Sequence, residues 1–293
     1  MSLKCASNKW LLNKNIFRHL LLIFFIGCGV EAGNPDSTDE KNSFINISIT
    51  DAPIDEIDQL LVSVDRLEFG TERLIKVNLN LDGPVDIASL TNGKKLQILA
   101  DQRVNSGNYT DFYLVIGAQD KPIQAIQKDG SLVNIVILDE SESLSNELSF
   151  SGNVTLNENE TKNLIVDVDL RQTLTELTDK QRQDLKLDSS YKYALRKKHS
   201  FLLETEAGSL EVTGYEEGSI LCLVPRDAYT TTNLPSDCLG EGNRSSVVSS
   251  EQFAKIIAIK PGKYILYQIQ NESIILIQSE IEITEQSSLK IEL

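Results

Sequence analysis

Paired carboxylates are the side chains of this sequence best suited to chemistry. Asp167 and Asp169 are two residues apart and so lie on one face of a predicted strand, while Asp51 and Asp55 lie together in one turn. Hard cations such as calcium favour oxygen ligands grouped in this way. The sequence therefore predicts a weak calcium site at these four residues. The alternative is that they are turn-forming and solvent-facing acids of a very acidic protein.

A cluster of aromatic residues offers a second candidate site. Tyr109 and Tyr113 are expected on one face of a predicted strand, with Phe112 on the other. If the two tyrosine rings are exposed, they could stack on a sugar, which makes them candidate ligand-binding residues. The alternative is that they pack in the core.

The sequence lacks the residues that the commonest enzymes use. After removal of an N-terminal export signal, His199 is the one remaining histidine. This nearly excludes a histidine-dependent triad or a multi-histidine zinc site. The sequence also has no phosphate-binding glycine loop and no nucleophile-elbow motif. We therefore predict that the protein is not an enzyme and has no cofactor, with calcium as the candidate ion, and a two-carboxylate hydrolase is the least favoured alternative.

Residues 1–27 are predicted to be a cleaved signal peptide. Four basic residues and no acidic one precede the apolar run Leu20–Ile26, which is too short to span a bilayer. The residues Phe25–Cys28 resemble the bacterial lipobox, and this resemblance implies that Cys28 carries lipid. Because a single acyl chain binds membranes only marginally, the triacylated cysteine that the resemblance implies is the sensible anchor. The alternative is a plain secretory signal in which Cys28 is incidental.

The lipobox resemblance also implies a location. Gly29, and not aspartate, follows Cys28, so in a bacterium with two membranes we expect sorting to the outer membrane. The sequence is compatible with either the periplasmic or the surface face of that membrane. Residues 28–43 are polar and are expected to form a lipidated tether. The predicted partners are the membrane, through the lipid anchor, and a glycan or an envelope protein.

The charge of the chain argues against nucleic acid as a partner. The formal charge is −15, and removal of residues 1–27 takes away four positive charges and leaves −19. Nucleic-acid binding needs basic patches that neutralise phosphate. The one local basic cluster, Arg196–Lys198, is expected to be a solvated strand end or linker.

Two cysteines remain after lipidation of Cys28 and removal of the signal. Cys222 and Cys238 would then form the only pair in an oxidising compartment, so a disulfide is expected. Their spacing does not fit a redox pair or a zinc knuckle. Two free, buried thiols are the alternative.

The hydrophobic pattern predicts a mainly β fold. Ile45, Ile47 and Ile49 alternate with polar residues, and further short alternating segments follow, separated by turn residues. Because the mature chain is longer than one core usually fills, we predict two antiparallel β-sandwich domains, at residues 44–205 and 206–293. A short helical insertion is expected at about residues 173–188, where leucines recur at helical spacing and Thr178–Gln181 has capping-box spacing.

Three segments together resemble the bacterial and archaeal family known as domain of unknown function 4382. They match the family's TDAP turn, its G-x-Y-T strand and its D-x-D-L-R strand end, at Ile47–Asp55, Ser106–Leu114 and Ile165–Arg171. The resemblance covers about residues 44–203. The later part is similar to prealbumin-like, carboxypeptidase-regulatory-like β-sandwiches, through Gly208–Gly214 and Ile259–Leu266. Neither family supplies catalytic residues to transfer.

These observations predict a non-enzymatic lipoprotein of the bacterial cell envelope that presents a β-sandwich binding or adhesion surface to a glycan or protein. The alternative is a structural or assembly subunit that binds another envelope protein. A carboxylate-dependent hydrolase is the third candidate.

Overall fold

The computed structural model describes residues 42–50, 56–70, 75–79, 81–117, 123–196, 198–240 and 242–292. The described residues form one compact unit. The predicted signal peptide, the lipidated Cys28, and the candidate calcium ligands Asp51 and Asp55 lie outside the described residues.

The N-terminal sandwich consists of fifteen described strands, two short α-helices and a 3-10 helix at Ile87–Ser89. The strands are β1 (Asn42–Thr50), β2 (Ile57–Val62), β3 (Val64–Phe69), β4 (Ile75–Asn78), β5 (Val85–Asp86), β6 (Leu96–Asn105), β7 (Gly107–Ile116), β8 (Ile123–Gln127), β9 (Leu132–Leu138), β10 (Leu144–Ser145), β11 (Glu147–Leu156), β12 (Thr161–Asp167), β13 (Leu174–Glu176), β14 (Tyr191–Arg196) and β15 (Lys198–Leu203). The α-helices are α1 (Leu170–Thr173) and α2 (Asp179–Asp184).

The C-terminal sandwich consists of seven described strands. They are β16 (Gly208–Thr213), β17 (Ile220–Pro225), β18 (Arg244–Val247), β19 (Phe253–Ile259), β20 (Gly262–Gln270), β21 (Ser273–Ile283) and β22 (Ser288–Glu292). Three of these strands form one sheet, in the order β19-β16-β22, and four form the other, in the order β18-β17-β20-β21.

The core of the N-terminal sandwich lies between its two sheets. One sheet has the order β4-β3-β7-β11-β15-β12-β1-β6, and the other has the order β13-β14-β9-β8-β2-β5, with β10 paired to β9. Ile45, Ile47 and Ile49 of the first sheet are buried in the same cluster as Leu60 and Val62 of the second. Burial of alternate strand residues gives each sheet one apolar face, so the mainly β, sandwich fold predicted from the sequence is confirmed.

The strand pairing differs from the antiparallel prediction at four places. The pairs β1–β12, β11–β15, β9–β14 and β16–β22 are parallel. A parallel pair needs a long crossover connection, and β1 and β12 are indeed separated by most of the N-terminal sandwich. Alternation along a strand shows which face is buried but carries no information about the direction of its neighbour.

The predicted helical insertion is helical only in part. Asp169 caps α1, and Thr178 begins α2 with a reciprocal capping box to Gln181, as its spacing predicts. Leu174, however, starts strand β13, which pairs with β14 at Leu195. The backbone hydrogen bonds available at this sheet edge outweigh the weak helical preference of a short segment.

A disulfide joins Cys222 of β17 to Cys238, as the sequence predicts, with Cα atoms 5.7 Å apart. Both cysteines are buried beside Tyr267, whose hydroxyl donates a hydrogen bond to the Pro235 carbonyl at 2.8 Å. The cross-link therefore fixes the loop that follows β17 against the sheet.

Candidate functional site

Asp167 and Asp169 are held where β12 ends and α1 begins. The Asp169 N–H donates to Asp167 Oδ1 at 3.2 Å, and Asp169 accepts a hydrogen bond from the Gln172 N–H as the N-cap of α1. Asp169 has a left-handed backbone conformation, with φ of 40°. Both side chains are buried. The structure thus brings together the two carboxylates that the sequence placed on one strand face, although the strand ends at the first of them.

Arg244, the first residue of β18, supplies the positive charge for these carboxylates. Its Nε atom lies 3.2 Å from Asp167 Oδ2, and its Nη1 atom lies 3.7 Å from Asp169 Oδ2. Gln172 adds a second link, because its Nε2 donates to Asp169 Oδ2 and also to the Asn243 carbonyl. We call Asp167, Asp169, Gln172 and Arg244 the carboxylate cluster. It joins the N-terminal sandwich to the C-terminal sandwich.

The carboxylate cluster holds two acids against one guanidinium. Burial, and next the charge of Asp167, raise the pKa of Asp169 to about 6, although Arg244 and Gln172 act in the opposite direction. Asp169 is therefore close to its titration point in a mildly acidic medium.

His199 lies in β15, and its side chain is buried. Its ring centroid is 5.3 Å from that of Phe150, and neither ring nitrogen has a hydrogen-bond partner of normal geometry. Burial lowers the pKa of His199 to about 4, while backbone groups of Val168 and Arg196 oppose this shift. The imidazole is therefore neutral at pH 7.

His199 is more deeply enclosed than its basic neighbours suggest. The sequence places it beside Arg196–Lys198, in a basic strand or linker, and it lies in strand β15, which is inside the eight-stranded sheet between β11 and β12. His199, Phe201 and Leu203 are buried at alternate positions. That alternation was the available signal, and the adjacent basic residues concealed it.

A cavity of about 870 Å³ opens over the carboxylate cluster. Its buried lining includes Asp167, Asp169 and His199, together with Tyr264, whose hydroxyl donates to the Lys260 carbonyl at 2.7 Å. The rest of the lining comes from α1 and from the segments around the ends of β17, β18 and β19: Gln172, Thr173, Pro225, Arg226, Asp227, Gly240, Gly242, Arg244, Lys260, Pro261, Gly262 and Lys263.

The exposed part of the cavity lining is predominantly basic. Arg226, Lys260 and Lys263 are exposed, with Asp227 as the exposed acid among them, and Lys263 is also paired with Glu280 at 2.9 Å. This local excess of positive charge contrasts with the chain's formal charge of −15. Sequence reasoning missed these residues because they come from separate loops that only the fold brings together.

The aromatic candidates are not arranged as predicted. The ring of Tyr109 is buried against Phe69, with centroids 5.8 Å apart, and its hydroxyl donates to the Asn105 carbonyl. Thr110 and Asp111 are both exposed, so the alternation shifts and Phe112 faces the same core as Tyr109. Tyr113 is half-buried. Tyr109 therefore cannot stack on a sugar from solvent, and the two tyrosines do not form one surface.

The carboxylate cluster presents no complete metal site. Across residues 42–292, apart from the undescribed gaps, no group of three or more His, Cys, Asp or Glu side chains is arranged to hold a metal ion. Arg244 lies where a cation would contact Asp167 and Asp169. Calcium binding that also involves Asp51 and Asp55 remains a prediction. Within the described part of the chain, no helix has the length and apolar character needed to cross a membrane.

Comparison with known proteins identifies one family and several distant structures. A family model described as "Domain of unknown function (DUF4382)" matches residues 42–188. The minor pilin GBS52 of Streptococcus agalactiae is 11% identical, with 85% of this chain and 94% of that chain covered and a TM-score of 0.22. BcpA, the major pilin subunit of Bacillus cereus, is 12% identical, with coverages of 86% and 69% and a TM-score of 0.21.

A third solved structure, the Bacillus anthracis TIE protein, is 11% identical, with 86% of this chain covered and a TM-score of 0.22, and this chain spans 50% of its length. Similarities this low carry no inference about the function of the present chain. No curated protein matches the sequence.

Proposed function

This chain belongs to the family described as domain of unknown function (DUF4382), and we propose that it is a non-enzymatic lipoprotein of the bacterial cell envelope that binds an acidic glycan in the cavity over the carboxylate cluster. The lipid on Cys28 would hold it at the outer membrane. The observation that carries the proposal is this cavity and its buried lining residue His199, whose ring nitrogens have only backbone contacts with Val168 and Arg196 that lack normal hydrogen-bond geometry.

The chemistry of His199 suits a hydroxyl-rich ligand. A neutral imidazole offers one N–H donor and one acceptor nitrogen, and a sugar hydroxyl can both donate and accept. Buried polar groups normally have well-formed hydrogen bonds, so the poorly aligned backbone contacts of His199 favour a site that a polar ligand or water completes. The cavity volume of about 870 Å³ falls within the range of about 300–1,000 Å³ usual for small-ligand sites.

The exposed lining residues favour an acidic ligand over a neutral one. Arg226 and Lys260 are exposed at the cavity, and either could meet a carboxylate or phosphate group of a bound glycan. The strongly acidic remainder of the chain would repel such a ligand elsewhere. The exposed basic residues Arg226 and Lys260 are therefore the charges that would attract an acidic glycan to this cavity.

The state of the carboxylates supports binding rather than hydrolysis. Asp167 and Asp169 both contact Arg244, and both accept backbone hydrogen bonds. A two-carboxylate glycosidase needs its acids on opposite sides of the scissile bond, and two acids turned toward one guanidinium do not provide this. The observation that favours the hydrolase alternative is the raised pKa of Asp169, which is typical of a general acid.

Titration of the full chain in detergent with oligogalacturonate and with maltooligosaccharide of equal length tests the proposal. We expect the acidic sugar to bind more tightly, and His199→Phe to weaken its binding by about tenfold, since loss of the imidazole hydrogen bonds costs on the order of 1.4 kcal/mol. Lys128→Ala, a change outside the cavity lining, should leave binding unchanged. Cleavage of either sugar, lost in Asp169→Asn, would instead support the hydrolase.

The lipid anchor has a separate test. Cells that express the wild-type chain and are fed a clickable palmitate analogue should label the protein, and Cys28→Ser should abolish the label, because the thioether at this cysteine carries the acyl chains. Cys5→Ser should leave the label intact, since that residue is lost with the signal. Labelling that persists in Cys28→Ser would refute the anchor at this position.

A further inference from the structure

The outer edge of β21 is an unusual surface for a protein in water. Strand β21 ends the sheet order β18-β17-β20-β21 and is paired with β20, for example at Ile274 with Ile269. In the part of the chain that the structure describes, no strand pairs with its other side. Its outward backbone N–H and C=O groups can therefore accept a further strand.

The side chains at this edge are apolar on both faces. Ile274, Ile275 and Leu276 are exposed by 40%, 44% and 43% respectively. Because successive strand side chains point to opposite faces, an added strand would cover apolar groups above and below the sheet. The segment Ser273–Ser279 contains no charged residue and no proline, so it lacks two of the usual devices that protect an edge strand. Its pairing with β20 shifts register between Leu276 and Gln278, so the regular edge available for a further strand is Ser273–Leu276.

The charges around the segment indicate which kind of strand could pair with the free edge of β21. Glu272 precedes the apolar residues, and Glu280 and Glu282 follow them, and all three are exposed, with Glu280 also paired with Lys263. A second copy of this chain, paired antiparallel across a two-fold axis near Leu276, would bring Glu272 of each copy toward Glu280 of the other. A segment of another protein with apolar residues at its centre and basic residues at its ends would instead complement both the apolar residues and the acids.

We propose that β21 is a docking edge for an extended segment of a partner protein, with an apolar centre and basic ends, which joins the C-terminal sandwich as an additional strand. Main-chain hydrogen bonds would provide affinity, and side chains at alternate positions would provide specificity. This inference goes beyond ligand binding in the cavity and does not depend on it.

A synthetic peptide with alternating valine and threonine and a lysine at each end is the probe. Added to the full chain, it should bind and slow amide hydrogen exchange within Ser273–Ile277, and Ile275→Lys should weaken binding at least tenfold. Ile274→Lys serves as a second variant in case the first disturbs the fold. The control is Leu132→Lys, which changes an apolar side chain that is 59% exposed on β9 and should leave binding unchanged.

Three results would overturn the docking proposal. One is absence of peptide binding, and another is equal binding of a peptide whose terminal lysines are replaced by glutamate. The third is a wild-type dimer that Ile275→Lys dissociates, because a second copy would then be the occupant of the edge. Loss of glycan binding alone would refute the cavity proposal and leave this one intact.

Discussion

Arg244→Leu should lower the free energy of unfolding by about 3–5 kcal/mol at pH 8, the loss typical when one partner of a buried ion pair is removed. Arg244 neutralises Asp167 and Asp169, and the side chains of all three residues are at most 14% exposed. Without the guanidinium, the two buried carboxylates would lose the ion pairs that oppose their desolvation and their mutual repulsion. Urea denaturation of wild type and variant in detergent measures the difference.

A control variant and a rescue variant test whether the loss of stability comes from the carboxylate cluster. Arg226→Leu removes an exposed arginine from the same cavity and should change stability by no more than about 0.5 kcal/mol. Arg244→Leu combined with Asp169→Asn should recover part of the loss, because one buried charge is gone. The loss should also shrink at pH 5, where Asp169 binds a proton. A loss below about 1 kcal/mol at pH 8 would show that Arg244 does not compensate these carboxylates.

His199 and Asp169 should act on acid stability in opposite directions. The pKa of His199 is about 4 in the folded chain, against an ordinary value of 6.5. As the pH falls from 6.5 to 4, the unfolded chain binds a proton that the folded chain does not, so His199 lowers the free energy of unfolding, by about 3 kcal/mol over this window.

The sign is reversed for Asp169. Its pKa is about 6 in the folded chain, against an ordinary value of 3.8. As the pH falls from 6 to 4, the folded chain binds a proton that the unfolded chain largely does not, and the free energy of unfolding rises by about 2 kcal/mol. In the wild type the two contributions largely offset each other.

Single substitutions should expose each contribution. From pH 6.5 to 4, His199→Phe should gain about 3 kcal/mol of stability relative to wild type, and Asp169→Asn should lose about 2 kcal/mol. Urea denaturation at several pH values within this window gives both slopes. Parallel pH profiles for wild type and His199→Phe would mean that the imidazole is not held neutral in the folded chain.

Local patterns in the sequence predicted the elements of this fold better than their arrangement. The alternation of Ile45, Ile47 and Ile49 reports burial of one strand face, which depends only on neighbouring residues. The same rule failed at Tyr109 and Phe112, where two successive exposed residues shift the alternation. The parallel pairing of β1 with β12 depends on contacts far apart in sequence, which no local pattern encodes.

The candidate site was predictable only in part. Asp167 and Asp169 were found because they are close in sequence, and the fold holds them together. Arg244, their charge partner, lies more than 70 residues further along the chain and is contributed by the other sandwich. His199 was recognised as the remaining histidine, but its buried position depends on the placement of β15 between two other strands.

The most direct test of acidic-glycan binding is the NMR signal of the His199 imidazole nitrogens, observed at pH 7 in the signal-cleaved full chain, in which His199 is the only histidine. On addition of oligogalacturonate, we expect these signals to shift in a saturable way, because the sugar hydroxyls would contact the imidazole, and we expect a much smaller response to maltooligosaccharide. Imidazole signals that stay unchanged at saturating oligogalacturonate would contradict glycan binding in this cavity.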